Sequence, residues 1–99
     1  MKVHWTARAE ARLDAIYNYR SQDNPAAALR VVQQVLRRSE QIATHPESGR
    51  RVPDYKREDV RELIENQYRI VYRILPGRID VLTVMHTSQL LPSDLKLLP

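Results

Sequence analysis

From Tyr68 to Leu75 the chain alternates between two kinds of side chain. Tyr68, Ile70, Tyr72 and Ile74 fall on one side, and Arg69, Val71 and Arg73 on the other. Period two with aromatic and β-branched residues predicts a strand inside a sheet. Pro76-Gly77 then punctuates the chain, and Ile79 to Val84 supplies a second β-rich run. Upstream, Val60 to Ile64 has the length of an outer strand, with Glu65-Asn66-Gln67 as the reversal. Three consecutive antiparallel strands are the economical reading, because a lone hairpin is marginal in water. Burying the Tyr/Ile face would leave Arg69 and Arg73, beside Val71, standing out of an open and rigid face.

The N-terminal half has a different period. Lys2 to Trp5 is β-prone, and Thr6 is placed to cap a helix whose first turns hold Glu10. From Ala7 to about Gln22 the apolar positions Ala9, Leu13, Ile16 and Tyr17 recur at three and four, with Arg8, Arg12 and Arg20 off that stripe. Asn24-Pro25 restarts the chain as cap and first helical residue. The second helix runs to about Thr44 along Ala28, Val32, Val35 or Leu36, Ser39 and Ile42, and His45-Pro46 closes it. The short link predicts an antiparallel αα-hairpin.

Glu47 to Asp59 has no period and reads as an ordered surface loop. Residues 86–99 form a tail, rich in leucine but broken by Pro92 and Pro99, that either docks on the domain or meets a partner. The order strand, helix, helix, strand, strand, strand gives an α+β fold of two layers. Its N-terminal strand and antiparallel αα-hairpin pack on one face of an antiparallel sheet (β-α-α-β-β-β), in a single domain over residues 1–99. The pattern does not fix which sheet edge the N-terminal strand takes.

Composition narrows the chemistry. With no cysteine in 99 residues, disulfide and thiol chemistry are excluded and an intracellular, cytoplasmic setting is expected. No apolar run reaches the roughly 18 residues of a membrane span, and the first residues lack a signal-peptide core. The net charge is +4, and thirteen of the sixteen basic residues are arginine, whose planar fork pairs with carboxylate or phosphate. Seven of the sixteen (Arg50, Arg51, Lys56, Arg57, Arg61, Arg69 and Arg73) lie between positions 50 and 73. That clustering points to an anionic partner.

Candidate catalytic groups are sparse. His4, His45 and His86 are far apart with no zinc-binding spacing, so no metal or cofactor is expected. The serines have no nucleophile motif, and Gly49 and Gly77 are isolated. Glu58, Asp59 and Glu62 read most simply as surface charge. Arg61 and Arg69 could hold a phosphodiester, with His86 as acid or base. The competing reading of both arginines is internal pairing with Glu62, Glu65 or Asp80. Tyr68 and Tyr72 share the Ile70/Ile74 face and are expected in the core.

Several pieces in order are similar to one family. They are Val3-His4-Trp5-Thr6 with Ala9 and Leu13; Ile16 to Tyr19; Asn24-Pro25-Ala26-Ala27-Ala28; and His45-Pro46 to Gly49-Arg50. Val60-Arg61-Glu62-Leu63, Tyr68 to Arg73 and His86 to Pro92 complete the series. Nearly the whole chain resembles the RelE/ParE superfamily of toxins from type II toxin–antitoxin modules, in its ParE-like branch. The resemblance implies a small α+β fold and a cognate acidic antitoxin whose disordered segment wraps the toxin in a hetero-oligomer. It also implies one of two targets. ParE-like members inhibit DNA gyrase; RelE-like members cut mRNA on the ribosome with residues on the open face of the sheet.

Arg69 falls where the ribonucleases carry a catalytic arginine. The lysines of their preceding strand are unmatched, their His-x-x-Arg reads His86-Thr87-Ser88-Gln89, and no tyrosine follows Tyr72. These departures favour gyrase inhibition over cleavage; the third reading is a non-toxic interaction protein whose sole activity is complex formation with its small acidic partner. The expected contacts to antitoxin or target are then Arg50, Arg51, Lys56, Arg57, Arg61, Arg69 and Arg73, with Val32, Leu36, Leu90, Leu91 and Leu95 as apolar contacts. Whether nucleic acid is bound directly stays open.

Overall fold

Both helix starts are built as the sequence requires. In the computed structural model, which describes all 99 residues, strand β1 (Lys2–Trp5) ends at Thr6. The Thr6 hydroxyl oxygen accepts from the Ala9 N–H at 3.2 Å and opens helix α1 (Ala7–Ser21). The same hydroxyl donates to the Val81 carbonyl at 2.8 Å, so the cap also fixes the helix to the sheet. Asn24 accepts from the Ala27 N–H at 3.0 Å and opens α2 (Pro25–Thr44), with Pro25 in the first turn. The chain continues through β2 (Arg50–Arg51), β3 (Val60–Glu65), β4 (Tyr68–Leu75) and β5 (Arg78–His86). Short 3-10 turns at Pro53–Tyr55 and Ser93–Leu97 complete it.

The sheet has five strands in the order β1-β5-β4-β3-β2. Three pairings are antiparallel, the expected β3–β4 and β4–β5 together with β2–β3, but β1 runs parallel to β5, so the sheet is mixed. Two helices separate β1 from the later strands, which leaves it free to lie parallel at that edge. The pair Arg50-Arg51 is a short fifth strand within the segment expected to be a loop. A two-residue strand carries no periodicity that a sequence could display.

Tyr68, Ile70 and Tyr72 of β4 pack with Ile79, Val81 and Val84 of β5, and with Ala9, Leu13, Val35 and Ile42 of the helices. On α2 the buried choice is Val35, while Leu36 is 40% exposed. The β5 residues in this core are not evenly spaced because a bulge intervenes. Val71 pairs with Thr83 but Tyr72 pairs with Val81, leaving Leu82 as the extra residue. The bulge re-phases the strand so that Val84 rejoins the helix side, while Leu82 turns to the other side.

That other side is not open. Val60, Val71 and Leu82 form a second core with Val52, Tyr55 and Leu95, and Leu91 and Leu98 pack against it. The helices cover one face of the sheet; the 52–55 turn and the C-terminal tail cover part of the other. Leu95, expected to meet a partner, is 3% exposed, whereas Leu90 is 94% exposed. No helix is long and apolar enough to cross a membrane.

Candidate functional site

The clustered arginines of residues 50–73 do not form a free cationic surface. On β3 the same pleat that buries Val60 buries Glu62, whose side chain is fully enclosed. One carboxylate oxygen accepts from the Arg50 guanidinium at 2.8 Å, and the other from Arg69 at 3.3 Å. Arg69 also donates to the Thr87 carbonyl at 2.9 Å. Glu62 is therefore a buried counter-ion, contrary to its reading as surface charge. A buried carboxylate is tolerable only when paired and hydrogen-bonded, and two arginines meet that need. Of the internal partners open to Arg69, Glu62 is the one it takes; Glu65 pairs with Arg38 and Asp80 with Arg78.

Asp59 does the same at the other end of this face. It accepts two bonds from Arg57 at 2.8 Å and one from Arg73 at 3.0 Å. The Arg57 hydrogen bonds hold the Asp59 carboxyl below its ordinary pKa; partial burial opposes this, and Arg73 adds to it. The outer guanidinium nitrogens of both arginines then bind the tail. Arg57 donates to the Leu98 carbonyl at 2.6 Å and to that of Lys96 at 3.2 Å, and Arg73 donates to Pro99. Tyr55 donates its hydroxyl to the Pro92 carbonyl, and Arg8 pairs with Asp94 at 2.7 Å. Arg57, Arg69 and Arg73 are thus structural groups, and the expectation of an arginine-lined open face is overturned.

Arg61 stands apart from them. It pairs in register with Tyr72, so its side chain leaves the sheet on the helix side, opposite to Arg69. Its guanidinium donates to the Gly49 carbonyl at 3.0 Å. The loop after α2 is tied down at this point. The buried Tyr72 hydroxyl donates to the Pro46 carbonyl at 2.6 Å and accepts from the Gly49 N–H at 3.0 Å. A Cβ at position 49 would lie 2.6 Å from that hydroxyl and 2.7 Å from the Glu62 carbonyl, which is why glycine is needed. Burial pushes the Tyr72 hydroxyl pKa up, and the Gly49 bond partly offsets the effect.

His86 pairs in register with Tyr68, and the two rings meet edge to face at 5.8 Å, which also places His86 on the helix side. Its Nδ1 accepts from the Ser88 N–H at 3.0 Å, and its Nε2 lies 3.2 Å from the Gln67 side-chain oxygen. Gln89, where the ribonuclease pattern has arginine, closes this turn by accepting from the His86 N–H at 3.0 Å. Arg61, Arg69 and His86, the candidate catalytic set, do not converge on one face. No cluster of three or more His, Asp or Glu side chains that could hold a metal ion is formed.

What remains outward of the predicted set is narrower. Arg50 and Arg51, 66% and 58% exposed at their side chains, and Lys56 line an open cleft of about 610 Å³ at the β2 edge. Arg51 pairs there with Glu58. On α2, Leu36 is exposed and Val32 half-buried, and sequence reasoning passed over Leu29, 49% exposed, which extends them to a stripe at helical spacing. Leu91 is half-buried against the second core.

A helical hairpin backs a small mixed sheet whose charged face is held by its own chain, and the comparisons place that frame in a family. Residues 3–91 match the model of the family described as the ParE toxin of type II toxin–antitoxin system, parDE. The chain belongs to the ParE toxin family. It is 38% identical over 96 residues to the Putative toxin Y4kP of Sinorhizobium fredii, covering 95% of this chain and 96% of that one. It is 33% identical over 89 residues to the Toxin RelE2 of Caulobacter vibrioides, covering 90% and 98%. A solved structure of the chromosomal ParDE TA system from P. aeruginosa superposes with a TM-score of 0.73 at 28% identity, over 87% of this chain and 95% of that one. The family match ends at residue 91, so Leu95 and Leu98, the later tail residues of the second core, lie beyond it.

Proposed function

We propose that this protein is the toxin of a two-component module, that it acts by binding DNA gyrase, and that a cognate acidic antitoxin restrains it in the cytoplasm. Family membership supports the module, and the internal pairing of Arg69 supports binding over turnover. A ribonuclease needs a guanidinium free to take a phosphate; here Arg69 neutralises the enclosed Glu62. That pairing carries the reading. Arg50, Arg51 and Lys56 at the β2 edge remain the groups to meet an anionic target surface. The exposed Leu29 and Leu36, with half-buried Val32 between them, offer the helical anchor pattern that an amphipathic antitoxin segment uses when it folds on binding.

The test is gyrase supercoiling with purified protein. Relaxed plasmid should stay relaxed when the protein is present, and supercoiling should return when antitoxin is added. Undisturbed supercoiling, together with site-specific mRNA cuts on programmed ribosomes, would replace this reading with the RelE-like one.

A further inference from the structure

Accounting for every guanidinium moves the free positive charge from the sheet to the helices. Eight of the thirteen arginines are ion-paired within the chain: Arg8, Arg38, Arg50, Arg51, Arg57, Arg69, Arg73 and Arg78. Arg61 takes a carbonyl. The remainder, Arg12, Arg20, Arg30 and Arg37, have no carboxylate partner and all lie on α1 or α2.

Three of these four line one groove. A cleft of about 320 Å³ runs along α1 between Arg12 and Arg20, with Ile16, Tyr68 and Met85 among its apolar lining and no carboxylate. Arg20 and Tyr68 are shared with a second cleft of about 270 Å³, lined also by Val31 and Val35 of α2. Gln34 and Glu65 are shared with a third, of about 200 Å³, which contains Arg37 and Arg38. The three clefts therefore adjoin around the β3–β4 end of the sheet, from one helix to the other, and between the first two Arg20 donates to the Tyr68 hydroxyl at 3.2 Å. Four arginines line them against the single carboxylate of Glu65. One of the structure's four buried side-chain nitrogens without a hydrogen-bond acceptor, Nε of Arg20, is on this path, while Nε of Arg38 lies 3.4 Å from the Glu65 carboxylate.

We propose that this groove, from Arg12 through Arg20 to Arg37, receives an acidic segment of the partner protein, with carboxylates meeting the arginines and aliphatic side chains entering between them. The inference rests on the antitoxin reading and adds the place and chemistry of contact. Arg12 and Arg20 are eight residues apart on one helix, about 12 Å along its axis. An extended chain rising about 3.3 Å per residue presents alternate side chains on one face. Carboxylates four residues apart with an aliphatic residue midway therefore match the cleft. Tyr68, the ring in the floor, is only 8% exposed, whereas Tyr19 at the rim is 76% exposed and is the ring on which a base could stack, so nucleic acid is the competing occupant that the test includes.

The experiment measures binding of the product of the short reading frame adjoining this gene, for which the antitoxin reading expects an acidic sequence, with a fluorescein-labelled fifteen-nucleotide thymidine strand as the nucleic-acid arm. Arg12→Glu tests the groove cleanly, because Arg12 is exposed and makes no bond within the chain. Arg12→Glu combined with Arg20→Gln should weaken the partner at least about 30-fold, and Arg12→Glu alone about tenfold. Lys2→Glu, an equal charge reversal on the exposed β1 strand at the far end of the sheet, should change binding by less than about threefold. Equal binding by wild type and Arg12→Glu overturns the groove assignment, as does tight binding of the oligonucleotide that Arg12→Glu abolishes. A wild-type protein that ignores the acidic partner instead removes the antitoxin reading itself, and the proposed occupant with it.

Discussion

The pair Glu62 and Arg69 separates a structural arginine from a catalytic one, and a double-mutant cycle measures which it is. Glu62→Gln keeps the shape of a side chain that has no solvent exposure and removes its charge; Arg69→Met removes the guanidinium, 18% exposed, and keeps the stem. Breaking a buried pair by deleting one partner costs about 3–5 kcal/mol. Two features reduce that figure here. Arg50 is 66% exposed and regains water when its carboxylate is lost, and Arg69 keeps the Thr87 carbonyl. Each single substitution should therefore cost about 2–3 kcal/mol, in the range of charge-assisted hydrogen bonds. In a domain of this size that lowers the melting temperature by roughly 10–20 °C. The double variant should lose less than the sum of the two, by a coupling of about 1–3 kcal/mol. Urea denaturation of the four proteins at pH 7 supplies all the numbers. Additive losses, or an Arg69→Met protein as stable as wild type, would show that Arg69 is not the counter-ion of Glu62 and would return it to the list of phosphate-binding candidates.

Tyr72→Phe should cost about 1–3 kcal/mol by leaving the buried Gly49 N–H and Pro46 carbonyl without their partner, read by the same urea titration. Leu95→Ala should cost about 2–5 kcal/mol if the tail truly seals the second core; a loss below about 1 kcal/mol would mean that residues 92–99 are only loosely attached. Stability should depend on pH at both ends. Asp59 has a lowered pKa in the fold, so its contribution is present above about pH 4, its unfolded value, and is lost as pH falls through the folded value; Asp59→Asn should flatten the acid limb. Tyr72 and Tyr55 have raised pKa values, so their contribution is present below about pH 10 and is lost as pH rises through the folded values; Tyr72→Phe should flatten the alkaline limb.

The elements of this fold were legible because each leaves a local mark. Thr6, Asn24 and Pro25 announce helix starts, and the alternation from Tyr68 to Ile74 announces β4 and its helix-side core. The occupancy of the second sheet face was not legible. Val71 between two arginines looks like one apolar residue on a polar face. It is buried because Val52, Tyr55, Leu82 and Leu95 arrive from separate parts of the chain, one of them through a bulge. Pairing across such distances leaves no pattern in a window of ten residues. The same applies to charge: Glu62 could be recognised as inward-facing from its spacing to Val60, but the strand that brings Arg50 to it has only two residues. Clustering in sequence therefore overstated the sheet arginines, while Arg12 and Arg20, spaced along α1, stood out only as lying off its apolar stripe.

The central claim is that the toxin works as a bound inhibitor, and the stoichiometry of its effect tests this most directly. Gyrase at fixed concentration should lose supercoiling activity in proportion to added toxin, with the loss complete near equimolar toxin and unchanged by longer incubation. Gyrase left active across that titration, while a small fraction of an equivalent of toxin accumulates cleaved mRNA on ribosomes with time, would contradict it.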